Sequence, residues 1–243
     1  MSARLEELLV VAIAGMLDGL GHVAVGAASP IPGAAALLAR ERSGGRLRVS
    51  LLGSERHSAF TDGGRELFDC AGQGRIDAFF LGGAQIDGEA NINLVGVGDY
   101  PRSKVRFPGS FGSAYMYFVV PRVILFALEH SRRNLVPRVD FVSAPGSSPP
   151  NVYRPGGPHA LVTGKAIFEF DRARRRFRLC SVHPGHDVDE VRAETGFDFD
   201  LAPEVPSTPE PDAVSLALVR GSVGAAIAET YPGFARRVLG IGG

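Results

Sequence analysis

The sequence predicts an α/β fold, an open and mostly parallel sheet flanked by helices, ending in a C-terminal β-hairpin and further helices. Three observations predict it. Helical-period segments alternate with short apolar runs through the first half of the chain. Two of those runs, Asp77 to Leu81 and Val123 to Leu128, have no polar face, as strands buried on both sides require. Finally, alternating apolar residues at Ile167, Phe168, Phe170, Phe177 and Leu179 flank the arginine-rich DRARRR, which reads as a hairpin with a solvated turn.

Residues 4 to 19 place Leu5, Leu8, Leu9, Ala12, Met16 and Leu20 at helical spacing, with Ser2 positioned to cap the segment. A strand from His22 to Gly26 follows. Pro30 and Pro32 hold a loop feeding a helix from about Gly33 to Arg42, and Leu47 to Leu52 is a second strand, completing a strand, helix, strand unit. Cys70 lies in RELFDCAGQG, an apparent helix. Beyond Val142, SAPGSSPPNVYRPGGPHA is too rich in proline and glycine for anything but loop, marking a subdomain edge or a lid. Leu161 to Phe170 and Phe177 to Val182 form the hairpin. Residues 187–195 and about 210–220 start acidic and end basic, as helices prefer.

Composition narrows function by exclusion. Of 243 residues, 26 are Lys or Arg and 26 Asp or Glu, so no total charge draws the chain to nucleic acid or an anionic membrane. No apolar run approaches the ~20 residues that span a bilayer, and the acidic start is unlike a signal peptide. Two cysteines, Cys70 and Cys180, make no disulfide scaffold; a cytoplasmic chain with buried free thiols is expected. The 31 glycines occur without low-complexity sequence, so they serve particular backbone positions.

The glycine-dense stretch after Leu81, running to Ala114, is the best site candidate, since open α/β sheets bind ligands at the carboxyl ends of their strands. Tight turns joining short strands explain it equally well. Neither G-x-G-x-x-G nor a P-loop is present. His183 and His186 have i, i+3 spacing, but Pro184 and Gly185 make them a turn rather than a metal pair, and no metal site is expected. Ser54, Glu55 and His57 lack the G-x-S-x-G context of a nucleophile elbow.

Longer patterns carry a resemblance. Gly82-Gly83-Ala84-Gln85-Ile86-Asp87, Asn91-Ile92-Asn93, Gly98-Asp99-Tyr100, Lys104-Val105-Arg106-Phe107 and Gly109-Ser110 resemble, in order and without gaps, the β subunit of glutaconate CoA-transferase. Val25-Gly26 with Pro30, Asp140-Phe141-Val142 with Pro145-Gly146, Leu161-Val162-Thr163 and Thr195-Gly196-Phe197-Asp198 extend it to about residue 220. The resemblance implies a single domain over residues 1–243 of the CoA-transferase, NagB-like kind, with a loop and hairpin subregion at 151–186. It also implies an α-subunit partner in an α2β2 complex, with the active site between subunits. The substrate would be a coenzyme A thioester, with no tightly bound cofactor. In the family a β-subunit glutamate in a Glu, small residue, Gly motif attacks the acyl-CoA carbonyl, giving an anhydride and then a glutamyl-CoA thioester.

The resemblance places Leu51, Gly53, Ser54 and Glu55 at one edge of a thioester site and Gly109, Ser110, Phe111, Gly112 and Ser113 at another. Gly83, Ala84 and Gln85 belong to the same binding surface. Gly112 and Ser113, with Glu55, are the catalytic candidates, because the glycine segment supplies N–H groups where charge develops on the thioester oxygen. The pattern is broken at its centre: alignment on Gly53 puts Leu51 at the nucleophile position. If the chain stays extended, Glu55 lies about 13 Å further on, well beyond the ~3 to 3.5 Å of attack, and only a turn at Gly53 brings it back. Phe111-Gly112-Ser113 also stands where the family has a Gly-Gly pair, and Ala90 replaces a glycine.

Loss of that glutamate is shared with the hydrolase branch of the superfamily, which opens the last steroid ring in bacterial cholesterol degradation with an α-subunit glutamate. Asn151-Val152-Tyr153-Arg154 and Ser181-Val182-His183-Pro184-Gly185 are similar to that branch. The family resemblance implies CoA transfer between carboxylic acids, while the missing glutamate tilts the mechanism towards the alternative, ring or thioester hydrolysis. A third possibility is a non-catalytic partner that stabilises the α subunit.

Overall fold

In the computed structural model, residues 3–241 are described, so Ser2 and its capping role lie outside the described residues. The chain divides into two compact units, one formed by the residues up to Phe80 together with those from Pro209 on, the other by Leu81–Thr208.

The first unit begins with α1 (Leu5–Met16), where the main-chain N–H of Arg4 donates to Glu7 at 2.9 Å. After β1 (His22–Val25) comes α2 (Pro30–Arg42), which starts three residues earlier than the prolines suggested. Proline is compatible with a first helical turn because its absent N–H has no intrahelical acceptor there and its φ is already helical. Strand β2 (Arg48–Leu51), α3 (Gly63–Gly72) and β3 (Ala78–Leu81) follow. Strand β1 pairs in parallel with β2 (Val25 opposite Leu51) and with β3 (Ala24 opposite Phe79), so the order is β3-β1-β2 with β2 at the edge. Residues on β1 and β3 are buried throughout, each large apolar side chain contributing about 1.5–3 kcal/mol. Gly33 lets α2 approach closely: a Cβ there would meet Ile227 at 3.0 Å and Leu51 at 3.2 Å.

The second unit opens with two small ladders. Strands β4 (Gln85–Ile86) and β5 (Ile92–Asn93) pair antiparallel, as do β6 (Gly96–Val97) and β7 (Val105–Arg106). Helix α4 (Ser113–Val119) leads into β8 (Arg122–Ala127), which pairs in parallel with β9 (Pro158–Thr163). Strands β10 (Ala166–Asp171) and β11 (Arg176–Val182) continue antiparallel, and after α5 (Val188–Glu194) β12 (Asp200–Leu201) lies parallel to β11. The unit's order is thus β12-β11-β10-β9-β8. Phe168, Phe170, Phe177, Phe197 and Phe199 pack their rings together over it.

The expected single strand from Leu161 to Phe170 is two strands. Thr163 Oγ1 accepts the main-chain N–H groups of Lys165 and Ala166 at 3.2 and 3.0 Å, folding the chain back at Gly164. The arginine turn is exposed from Asp171 to Arg175, as expected, while Arg174 and Arg176 both pair with Asp200 and Arg172 donates to the Gly156 carbonyl. The remaining helices, α6 (Ala213–Arg220), α7 (Ser222–Ala228) and α8 (Pro232–Phe234), belong to the first unit. Parallel pairs predominate, with an antiparallel hairpin late in the chain, as the fold class required.

Candidate functional site

In the first unit the predicted site residues gather at the carboxyl end of β2. Leu51 ends the strand fully buried, its side chain facing Gly33, so it fills the core and lines no surface of this chain. Gly53 has φ +88°, and Ser54 N–H donates to the Leu51 carbonyl at 3.1 Å. The chain therefore turns at Gly53, where the positive φ favours glycine. It then runs back along β2, with Leu51 N–H donating to the His57 carbonyl at 2.8 Å. Glu55 sits on this turn, exposed.

A carboxylate that sequence reasoning passed over holds the turn in place. Glu229, at the C-terminal end of α7, accepts from Ser54 Oγ at 2.6 Å and from Glu55 N–H at 2.7 Å, while Ser54 Oγ accepts the His57 N–H at 2.9 Å. The bond from Ser54 is the main reason its carboxyl titrates low, down to about 2; Thr230 and the Glu55 N–H add to it. A negative charge at a helix C-terminus opposes the macrodipole, so these donors offset an unfavourable placement. Burial lowers the His57 imidazole, and Arg40 lowers it further. The His57 Nδ1 atom is enclosed with no hydrogen-bond partner among the described residues.

The second unit holds the other candidates, and they separate into two groups. Gly83, Ala84 and Gln85 are built into a hydrogen-bonded hub. Asn93 Nδ2 donates to Gln85 Oε1 at 2.7 Å, Asp140 N–H donates to the same oxygen at 2.9 Å, and Asn134 Nδ2 reaches the Gly83 and Ala84 carbonyls. A Cβ at Gly83 would lie 2.5 Å from Ile92 Cγ2, so that glycine is set by packing. Beside this hub a cavity of about 600 Å³ opens between Asp87, Asn91, Arg138, Arg174, Phe197 and Asp198; none of the predicted site residues lines it.

Gly109 to Gly112 form the loop before α4, with φ +108° at Gly109 and +42° at Phe111. Phe111 is 88% exposed. Ser113 N–H already donates to the Ser110 carbonyl at 2.8 Å, so a backbone cradle here draws on the residues before it. Ser113 Oγ is enclosed and has no partner among the described residues. Nearby, Arg154 donates to the carbonyls of Pro145, Gly156 and Tyr117 and stacks over the Tyr117 ring at 5.1 Å. It ties the proline-rich loop down. The histidines of HPGHD are likewise engaged within the fold: His183 reaches Thr208 Oγ1 and the Thr163 carbonyl, and His186 reaches Glu190. Among the described residues no cluster of three or more His, Cys, Asp or Glu is arranged to hold a metal, and no helix is long and apolar enough to cross a membrane.

The arrangement is that of a sheet with glycine turns at strand ends and exposed acid beside one of them. The family model for coenzyme A transferase matches residues 17–194. This chain belongs to the coenzyme A transferase family. The glutaconate CoA-transferase β subunit of Acidaminococcus fermentans is 33% identical over 59% of the chain and 56% of its own length. The corresponding subunit of the 3-oxoadipate CoA-transferase of Pseudomonas knackmussii is 35% identical over 60% and 58%, respectively. The cholesterol ring-cleaving hydrolase IpdB subunit of Rhodococcus jostii is 29% identical over 64% and 62%. The match thus spans less than two thirds of each of these relatives. Among solved structures, the decarboxylase AibA/AibB superposes with a TM-score of 0.77 at 26% identity, covering 98% of this chain and 99% of that one. Transferase and hydrolase branches were both anticipated from the sequence; a decarboxylase relative was not.

Proposed function

We propose that this chain is the β subunit of a heteromeric enzyme acting on acyl-CoA thioesters, paired with an α-type partner in an α2β2 complex, and that it transfers CoA between carboxylic acids. The observation that supports this reading is the turn at Gly53, which folds the chain back after β2 with Glu55 exposed on it. In the reaction a Glu55 oxygen attacks the thioester carbonyl and the CoA thiolate leaves, forming an acyl-glutamyl anhydride. The thiolate then attacks the glutamyl carbonyl, releasing the first acid and leaving glutamyl-CoA. The incoming carboxylate reverses both steps and departs as the new thioester. Ser54, Gly53 and Glu229 position the carboxylate, and the family resemblance assigns the oxyanion-binding N–H groups to the Gly109 to Gly112 loop. The same resemblance assigns Gly83, Ala84 and Gln85 to substrate binding.

A second reading is favoured by the burial of Leu51: with no carboxylate at that position, the chain shapes the site while a partner carboxylate drives hydrolysis. Incubating the reconstituted complex with acyl-CoA and borohydride separates the two. The transferase reading expects a reduced glutamyl adduct on Glu55 and loss of at least about 10²-fold in turnover for Glu55→Gln. Steady hydrolysis with unlabelled chain and full activity in Glu55→Gln would overturn it.

A further inference from the structure

Along the free side of the edge strand β2, the first unit contains a cleft of about 310 Å³ between the end of α2, the start of β2 and the returning segment 56–59. Four arginines line it: Arg40, Arg46, Arg48 and Arg56, all exposed. None forms a salt bridge among the described residues, although other arginines of the unit do find partners; Arg42 donates to Ser215 Oγ and Arg220 pairs with Glu7. The neighbouring acids are committed elsewhere, Glu41 to Ser222 and Glu229 to the Gly53 turn. In a chain of zero net charge, four uncompensated guanidinium groups on one concave surface form a local positive field that the total conceals. Burial lowers the His57 imidazole on the wall of this cleft, and of the four arginines Arg40 and Arg56 lower it further, against Glu229, which raises it.

We propose that this cleft binds an anion carrying two or more phosphate groups. The guanidinium fork matches phosphate geometry with paired N–H donors, and a volume near the lower end of the roughly 300–1,000 Å³ range of ligand clefts suits a diphosphate moiety better than a whole nucleotide. Leu47, just before β2, and Val49, at its start, are buried among the cleft's lining residues. The diphosphate belongs either to a free ligand or to coenzyme A itself. The site does not depend on which carboxylate performs the acyl chemistry.

Calorimetric titration of the full chain with inorganic pyrophosphate at low salt tests the proposal. One saturable site is expected, weakened at least about tenfold by Arg46→Gln and by Arg56→Gln, with unchanged thermal midpoints. Arg192→Gln, an exposed arginine of α5, is expected to bind as the parent does. Should one variant fail to fold, the other reads the same cleft from a different segment. Competition by coenzyme A assigns the diphosphate to the coenzyme, whereas additive binding assigns it to a free ligand. Absence of saturable binding, or equal weakening in Arg192→Gln, overturns the proposal.

Discussion

Glu229 shows how one side chain can organise a site from far away in sequence. It lies 175 residues from Ser54, on a helix with no catalytic signature, and nothing local distinguishes it from any solvated glutamate. Leu51 and Gly53, by contrast, were legible, because the alignment of a short strand-end motif needs only local residues. Loss of the Glu229 charge is expected to free the Glu55 N–H. Glu229→Gln should therefore speed hydrogen exchange at the Glu55 amide by about tenfold near pH 6, the size of one charge-assisted bond of roughly 1.4 kcal/mol discounted for solvent. The carboxyl is lowered from 4.5 to about 2, so its hold is complete above pH 4.5 and is lost as the pH falls towards 2. Wild-type exchange at Glu55 should approach that of the variant over that interval; identical exchange in both proteins at pH 6 would remove Glu229 from the positioning role.

At the scale of elements, periodicity located most strands and helices, because burial on one face or two leaves a pattern in neighbouring residues. It missed the break at Gly164, where a threonine hydroxyl rather than a change of pattern turns the chain. It also left the glycine-dense stretch undecided between site and turns, and the structure divides that stretch by mechanism. Gly83, and Gly146 beyond the stretch, are small because other backbone or side-chain atoms occupy the space, whereas Gly109 faces open space and is needed for its positive φ. A Cβ on Gly146 would fall 2.1 Å from the Glu89 carbonyl oxygen, a backbone atom that cannot swing aside. Gly146→Ala should thus destabilise by about 1–3 kcal/mol, or roughly 2–12 °C in midpoint for a chain of this size, and Gly109→Ala by about 1 kcal/mol from strain alone. Thermal melts of the two variants check this, and an unaffected Gly146→Ala would contradict the packing assignment.

At the scale of the whole molecule, the first unit is discontinuous in sequence and the second is not. Helices α6 and α7 complete a unit begun by α1 and α2, so the residues from Pro209 on are structural rather than an appended tail. The clearest tie is between the buried Glu7 of α1 and Arg220 of α6, whose Nε and Nη2 reach the two carboxylate oxygens at 2.6 and 2.7 Å. Arg220 lowers the Glu7 carboxyl below its usual range, chiefly through these bonds. Removing it leaves a carboxylate in a site only 1% exposed. Arg220→Met is expected to cost about 1–3 kcal/mol at pH 7, less than a fully buried pair because Arg220 is 35% exposed. The paired carboxylate adds stability above pH 4.5 and loses it as the pH falls through its lowered value. In the variant Glu7 instead protonates readily and ceases to be a buried charge. The gap between wild-type and variant melting temperatures should therefore be widest at neutral pH and narrow as the pH falls below 4.5. Peptides of α1 and α6 should show the faster hydrogen exchange at pH 7. A gap that stays constant or widens on acidification would mean that Arg220 contributes through packing of its stem and not through the Glu7 charge.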